Sequence, residues 1–294
     1  MKSEFAALAG ATSPHLAATD RHWQASLTLG FADDRGTTRL VERSHSGPLR
    51  VQKPLYPEGP AVCHAIVVHP PGGVVGGDRL TITAHVQSRA HALLSTPGAA
   101  KWYRANGHVS GQHVKLEVSD GGAMEWLPQE TIFFNDADVR LDQEIELAAD
   151  ASYIGCEILC FGRTASGESF EAGRVVQRTS IRRGGKLIWF EQGAIHAGQA
   201  MHSPLALAGH SVCATLLAVG KSLPAPLLQD LREQAASLTG GVGMLGATQM
   251  KQVCVLRYLG DSSEVARQVM VAAWHLLRPA LLGREAVVPR IWQT

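Results

Sequence analysis

Three carboxylates in this sequence stand where carboxylates are costly. Asp78 closes the stretch "HPPGGVVGGD", His69 to Asp78, which lies between the apolar runs "VCHAIVV" and "RLTITAHV". Glu157 sits in "YIGCEILCF" and Glu191 in "LIWFEQG", both among apolar neighbours. A carboxylate in a buried strand must be paired, hydrogen-bonded or protonated, because an isolated charge there is expensive. Each also has a plain structural alternative. Asp78 can cap the glycine turn by accepting a backbone N–H. Strand alternation can aim Glu157 at solvent with Cys156 and Ile158 inward, and Glu191 poses the same choice. Glu125 and Glu130 bracket "WLPQ", and Glu168 lies in the turn "SGES", where a glutamate is ordinarily solvated.

The remaining chemistry is thinner. The glycine stretch is no phosphate cradle: a P-loop needs Lys and Ser or Thr directly after its last glycine, and Asp78-Arg79 follow instead. Nor is it a dinucleotide fingerprint, which opens a helix; "LTITAHV" alternates as a strand. The glycines read as a strand-to-strand turn with positive φ. Cys156 and Cys160, four apart on a strand, are separated by about 13 Å, too far to share a metal. His196 and His202, in "HAGQAMH", can meet at one ion if that stretch is flexible, though two independent histidines explain them as well. "KWYRANG", Lys101 to Gly107, offers aromatic and cationic groups to a partner or is an ordinary strand edge. No zinc-protease motif, zinc-finger cysteine pair or nucleophile elbow occurs. Taken alone, these residues fit two classes. One is a scaffold using oxygen ligands for a metal. The other is a β-structured hydrolase using two carboxylates on carbohydrate.

The elements that must position these groups are mostly strands. From Trp23 to about Phe190, runs such as "VKLEV", "AMEWL", "TIFF", "DVRLDQEIEL" and "RVVQRTSI" are broken by "SDGG", "FNDAD" and "RRGGK". The last third changes. Helical spacing predicts one helix near 224–239, opened by Pro224, and a second near 262–282. Ser262 or Ser263 is placed to cap the second, and Pro279 to limit it. "SVCATLLAV" and "MKQVCVLRYLG" each read as a strand, and the closing Trp292 implies a C-terminus docked on the body. The expected class is mainly β, with two C-terminal helices packed on the strands. Residues 1–20 read as a loose N-terminal tail and 21–294 as a single β-rich domain.

The 294 residues are 45% hydrophobic and 18% charged, enough for a real core. A net charge of +1 calls for neither nucleic acid nor an anionic membrane surface. No apolar run approaches the roughly 18 residues of a membrane span. Five cysteines without a Cys-x-x-Cys pair fit buried thiols in a reducing cytoplasm.

Six ordered stretches carry a resemblance. "HPPGGVVGGDRLTI", "GPLRVQKPLYPEG", "LLSTPGAAKWYR", "EWLPQETIFF", "FGRTASGESF" and "HLLRPALLGREAVVPRIWQT", together with "HWQASLTLGF", run from His22 to the end. They resemble the urease accessory protein UreD family, called UreH in some bacteria. The resemblance implies an elongated helical winding of strands with two helices, and a chaperone rather than an enzyme. It implies partners: UreF, the GTPase UreG through UreF, and urease apoprotein. It also implies passage of nickel through an internal channel, with no permanently bound cofactor. Asp78, Glu157 and Glu191 fall on the family's proposed channel carboxylates. Arg79 departs from relatives that carry a second acid there, and can pair with Asp78 or point outward. Nickel accepts oxygen and nitrogen ligands. A conducting path needs binding weak enough to release the ion.

Overall fold

The computed structural model describes residues 22–293. The expected tail, residues 1–20, lies outside them. The chain begins with an antiparallel pair, β1 (Gln24–Asp34) and β2 (Thr37–Ser46), and a short β3 (Arg50–Val51). It then winds through β4 (Cys63–Val68), β5 (Arg79–Val86), β6 (His91–Ser95), β7 (Ala100–Trp102) and β8 (Ser110–Val118). The winding continues through β9 (Ala123–Leu127), β10 (Thr131–Phe133), β11 (Ala137–Leu147), β12 (Ser152–Phe161) and β13 (Gly173–Arg183). Strand β14 (Lys186–His196) folds back antiparallel on β13. A single turn, α1 (Gln199–His202), leads to β15 (Val212–Val219), α2 (Ala225–Thr239), β16 (Met244–Met250), β17 (Val253–Gly260) and α3 (Ser263–Leu282).

Successive turns of the winding alternate between two facing sheets. The first sheet has the order β14-β13-β11-β8-β5-β1-β2, and the second β16-β17-β15-β12-β9-β6-β4-β3. Within the coil β5, β8, β11 and β13 are parallel neighbours, as are β4, β6, β9 and β12. Short β7 and β10 branch off the second sheet: β10 pairs with the end of β12, and β7 pairs with β10. The result is mainly β, as the strand pattern led us to expect, and its solenoid-like winding is the one that the resemblance, rather than any repeat in the sequence, implied.

Burial follows from this arrangement. Strands of the first sheet alternate, as β5 does with Leu80, Ile82, Ala84 and Val86 inward. Their other face carries cross-strand ion pairs in water, such as Arg174–Asp138 and Arg178–Asp142. Strands of the second sheet are buried on both faces. One face meets the first sheet, and the other meets α2 and α3 through Leu231, Val269, Ala273 and Leu277. Among the described residues no helix is long and apolar enough to cross a membrane.

The C-terminal expectations hold with corrections. Ser262 caps α3, its Oγ accepting from Val265 N at 3.2 Å. Pro279 does not end that helix; it lies inside the last turn, and Gly283, with φ 65°, ends it. "MKQVCVLRYLG" is not one strand. Lys251, at φ 54°, turns the chain so that Met250 ends β16 and Val253 starts its antiparallel partner β17. "HAGQAMH" is likewise not an irregular stretch: His196 ends β14 and His202 lies in α1. Trp292 docks as expected, donating from Nε1 to Ser95 Oγ at 2.7 Å and lying 5.9 Å from the Trp274 ring.

The four glycines of the "HPPGGVVGGD" turn serve two different needs. Gly72 and Gly77 hold φ of 77° and 91°. Gly73 and Gly76 have ordinary φ, but a Cβ on Gly73 would overlap the Tyr103 ring and one on Gly76 the Ala105 carbonyl. The turn is pressed onto the "KWYRANG" segment, with Val74 N donating to Lys101 O and Tyr103 N to Val74 O, both at 2.8 Å. Backbone cannot yield as a flexible side chain can, so Gly76→Ala is expected to cost about 2–3 kcal/mol. Gly72→Ala, with open space around it, should cost only about 1 kcal/mol for its left-handed φ. Thermal melting of the two variants checks this order; a smaller loss in Gly76→Ala than in Gly72→Ala would show that φ rather than close approach governs the turn.

Candidate functional site

Alternation on β12 sends Tyr153, Glu157, Leu159 and Phe161 toward the first sheet, while Ile154, Cys156, Ile158 and Cys160 face the helices. Glu157 therefore points neither to solvent nor to the helical core but into the space between the sheets. Register places Glu157, Thr215 and Arg257 side by side on β12, β15 and β17, with Gly246 of edge strand β16 beyond. Across the gap the first sheet offers Gln177 on β13 and Glu191 on edge strand β14. The Gln177 amide donates to Glu157, and Arg257 Nη2 donates to Glu191 Oε1 at 2.6 Å.

These side chains line one cavity of about 530 Å³ that opens at the seam between the edge strands β14 and β16. Glu157 and Gln177 also line a smaller cavity of about 40 Å³, deeper between the sheets. On that measure a water takes roughly 10–15 Å³, so the space holds about three. Through Gln112, Trp126, Pro128 and Thr131 the small cavity adjoins a third, again about 530 Å³, which reaches His69 and the glycine turn. Three spaces thus follow one another through the interior, and Glu157 stands at the narrow one.

Electrostatics distinguish the groups. Burial pushes the Glu157 carboxyl up to about 7; Glu191 adds to this, while the Gln177 hydrogen bond and the Arg257 charge oppose it. Burial lowers the His69 imidazole, and the Asp78 charge partly offsets that. Burial also pushes the Cys213 thiol, in the Glu157 cavity, up to about 12.

The structure thus brings Glu157 and Glu191 together and leaves Asp78 apart. Asp78 is buried at the start of β5, where Oδ1 accepts from Trp23 N at 2.9 Å and Oδ2 from Val75 N at 3.3 Å. Three inter-strand spacings separate β5 from β13, about 14 Å. Arg79 begins β5 with its side chain exposed on the outer face. The other acids are spoken for: Glu125 by Arg278, Glu130 by Arg267 and Glu168 by Arg163. Cys156 and Cys160 face the helical core, and all five cysteines are free thiols. Among the described residues no group of three His, Cys, Asp or Glu is placed to hold a metal ion together.

Gln177, Thr215 and Arg257 were missed from sequence. Arg257 had a signal: it is the one cation in "VCVLRYLG", a strand otherwise made for burial. Gly193 gave none. It sits opposite Gln177 on β14, where an added Cβ meets no atom within 4 Å, so its missing side chain is part of the cavity.

Comparison with known proteins gives a consistent answer. The family model described as UreD urease accessory protein matches residues 24–293. A urease accessory protein UreD of Janthinobacterium sp. (strain Marseille) is 68% identical over 94% of this chain and 94% of its own length. Those of Nitrosospira multiformis and Nitrosococcus oceani are 55% and 47% identical, covering 94% and 92% of this chain and 100% and 90% of their own lengths.

Proposed function

The chain belongs to the UreD urease accessory protein family, and from that premise we propose that it delivers nickel to urease apoprotein through its own interior. It is an accessory protein of urease maturation, not an enzyme. In this reading it works in the cytoplasm as the scaffold between urease apoprotein and UreF, which brings UreG. Nickel is cargo and passes between the two sheets.

One observation carries the reading: three adjoining cavities run through the sandwich, and a half-buried carboxylate stands at the narrowest. A space for about three waters cannot pass an ion with its full hydration shell. The ion sheds water there, and Glu157, with the Gln177 side chain, supplies oxygen in exchange. Glu191 is the next carboxylate toward the seam. Asp78 enters the proposal as the carboxylate near His69, at the opposite end of the interior. Oxygen donors spaced in series bind weakly enough to release the ion. The carbohydrate-hydrolase alternative needs a free acid and base across an open cleft. Here Arg257 already engages Glu191, and Glu157 lies between the sheets with the Gln177 amide on it.

Deleting this protein at limiting nickel should leave urease polypeptide present but nickel-poor and inactive. Glu157→Gln combined with Glu191→Gln should lower urease nickel while the chain still melts normally and captures UreF. Normal nickel content in the deletion strain would sink the maturation role. Full activation by the double amide variant would remove these two carboxylates from it.

A further inference from the structure

Glu191 is half-buried at the mouth of the Glu157 cavity, and it is not free. Arg257 Nη2 holds its Oε1 at 2.6 Å, and both side chains remain partly open to solvent. Arg257 reaches that position from the opposite sheet, so the pair spans the seam between edge strands β14 and β17's neighbour β16. On either side the wall is glycine: Gly193 on β14 and Gly246 on β16, each with open space where a side chain would stand. Thr215 alone separates Arg257 from Glu157 in the transverse row of the second sheet. Two strand spacings, about 10 Å, lie between the backbones of Arg257 and Glu157. A long, flexible guanidinium therefore bridges an otherwise unobstructed mouth with one contact.

We propose that Arg257 is a displaceable counter-cation that gates this mouth and makes it selective for divalent ions. The inference rests on the nickel-passage reading and adds a gate to it. With no metal present, the guanidinium neutralises Glu191 and stands across the opening. A divalent ion carries twice its charge and coordinates carboxylate oxygen directly, so it takes Glu191 and Arg257 swings out into solvent. A monovalent ion has no such advantage in charge and leaves the pair closed. Competition with Arg257 also keeps nickel at Glu191 from being held too tightly, since the ion is expelled as the guanidinium returns. No bond to carbon is made or broken; one cation replaces another on the same carboxylate.

The test is nickel binding by the full-length chain, measured by equilibrium dialysis against NiCl2, with wild type, Arg257→Met, Arg257→Lys, Glu157→Gln, Glu191→Gln and Arg257→Met/Glu191→Gln. Arg257→Met should bind nickel tighter by up to about fivefold, the worth of one partly exposed ion pair no longer competing. It should also surrender nickel to a chelator more slowly. Arg257→Lys should stay near wild type, and the added Glu191→Gln should cancel the gain. Excess KCl at constant ionic strength should leave nickel on the wild type and on Arg257→Lys but compete with it on Arg257→Met, and equal resistance in all of them would overturn the selectivity assigned to Arg257. Equal affinity in wild type and Arg257→Met, with binding still weakened by Glu157→Gln, would overturn the gate and leave the passage intact. Binding insensitive to Glu157→Gln and Glu191→Gln alike would overturn both. Melting curves separate these outcomes from misfolding, and Arg257→Lys, which keeps the charge, provides a folded comparison.

Discussion

Phenylalanine in place of Gly193 should leave the protein folded and bound to its partners, while urease from the same cells comes out roughly tenfold poorer in nickel, because the width and lining of a pore set what passes it. Gly193 faces inward from β14 into the cavity that holds Glu157 and Glu191. Its φ is not left-handed, and an added Cβ meets no atom within 4 Å. A large side chain is therefore accommodated without strain, in space that otherwise belongs to the cavity. Aromatic residues also suit strands better than glycine does, so the melting temperature should hold or rise. Gly193→Ala, which adds a single methyl, should keep most nickel delivery. The measurements are nickel per urease active site, UreF capture and thermal melting. Wild-type nickel content in the phenylalanine variant would show that cargo does not use this cavity.

The second large effect concerns the fold. Arg278, fully buried on α3, is gripped by two acids: Glu125 on β9 at 3.0 Å, and Glu58 at 2.7 and 2.8 Å. Glu125 further accepts from His91 Nε2 at 2.7 Å and Trp274 Nε1 at 2.5 Å, and Glu58 contacts His64 Nε2 at 2.6 Å. The cluster fastens α3 to the second sheet. Arg278→Met would strand two buried carboxylates, and breaking a buried pair from one side costs about 3–5 kcal/mol. Adding Glu125→Gln should recover part of the loss.

Acid should act on the same cluster. Burial alone would raise both carboxyls. For Glu58 the hydrogen bonds from His64 and Arg278, and the Arg278 charge, outweigh it and bring the pKa down to about 2. For Glu125 the His91 hydrogen bond and the His91 and Arg278 charges do the same in direction. A folded-state pKa below the unfolded one contributes stability above the ordinary carboxylate range. That stability drains away as pH falls toward 2. In Arg278→Met the stranded acids instead titrate upward, so its deficit against wild type should shrink as pH is lowered from 8 to 5. Urea unfolding at both pH values reads this out, and a deficit independent of pH would place the loss in packing alone.

The membership of Glu157 and Glu191 in apolar strands, and of Asp78 in the turn beside one, was legible in the sequence, but their fates were not. Alternation fixes that Glu157 and Cys156 face opposite ways; it does not say what each face meets. Because β12 belongs to a sheet covered on both sides, neither direction led to solvent. The deciding fact for Asp78 was a contact 55 residues away, the Trp23 amide. For Glu191 it was Arg257, 66 residues away.

By itself the sequence determined what depends on neighbours along the chain. Period-two alternation set the strands, helical spacing and the Ser262 cap set α2 and α3, and the ordered motifs set the family. Tertiary structure alone decided what depends on the winding. The coil and the antiparallel strands added to it bring residues dozens of positions apart into one transverse row, so that Glu157, Thr215 and Arg257 become neighbours across β12, β15 and β17. The same winding leaves β14 and β16 as unpaired edges of their sheets and a seam between them. Local propensity is short-ranged and carries no information about that register. The passage is created by the stacking of the two sheets, whose facing rows no single stretch of sequence contains.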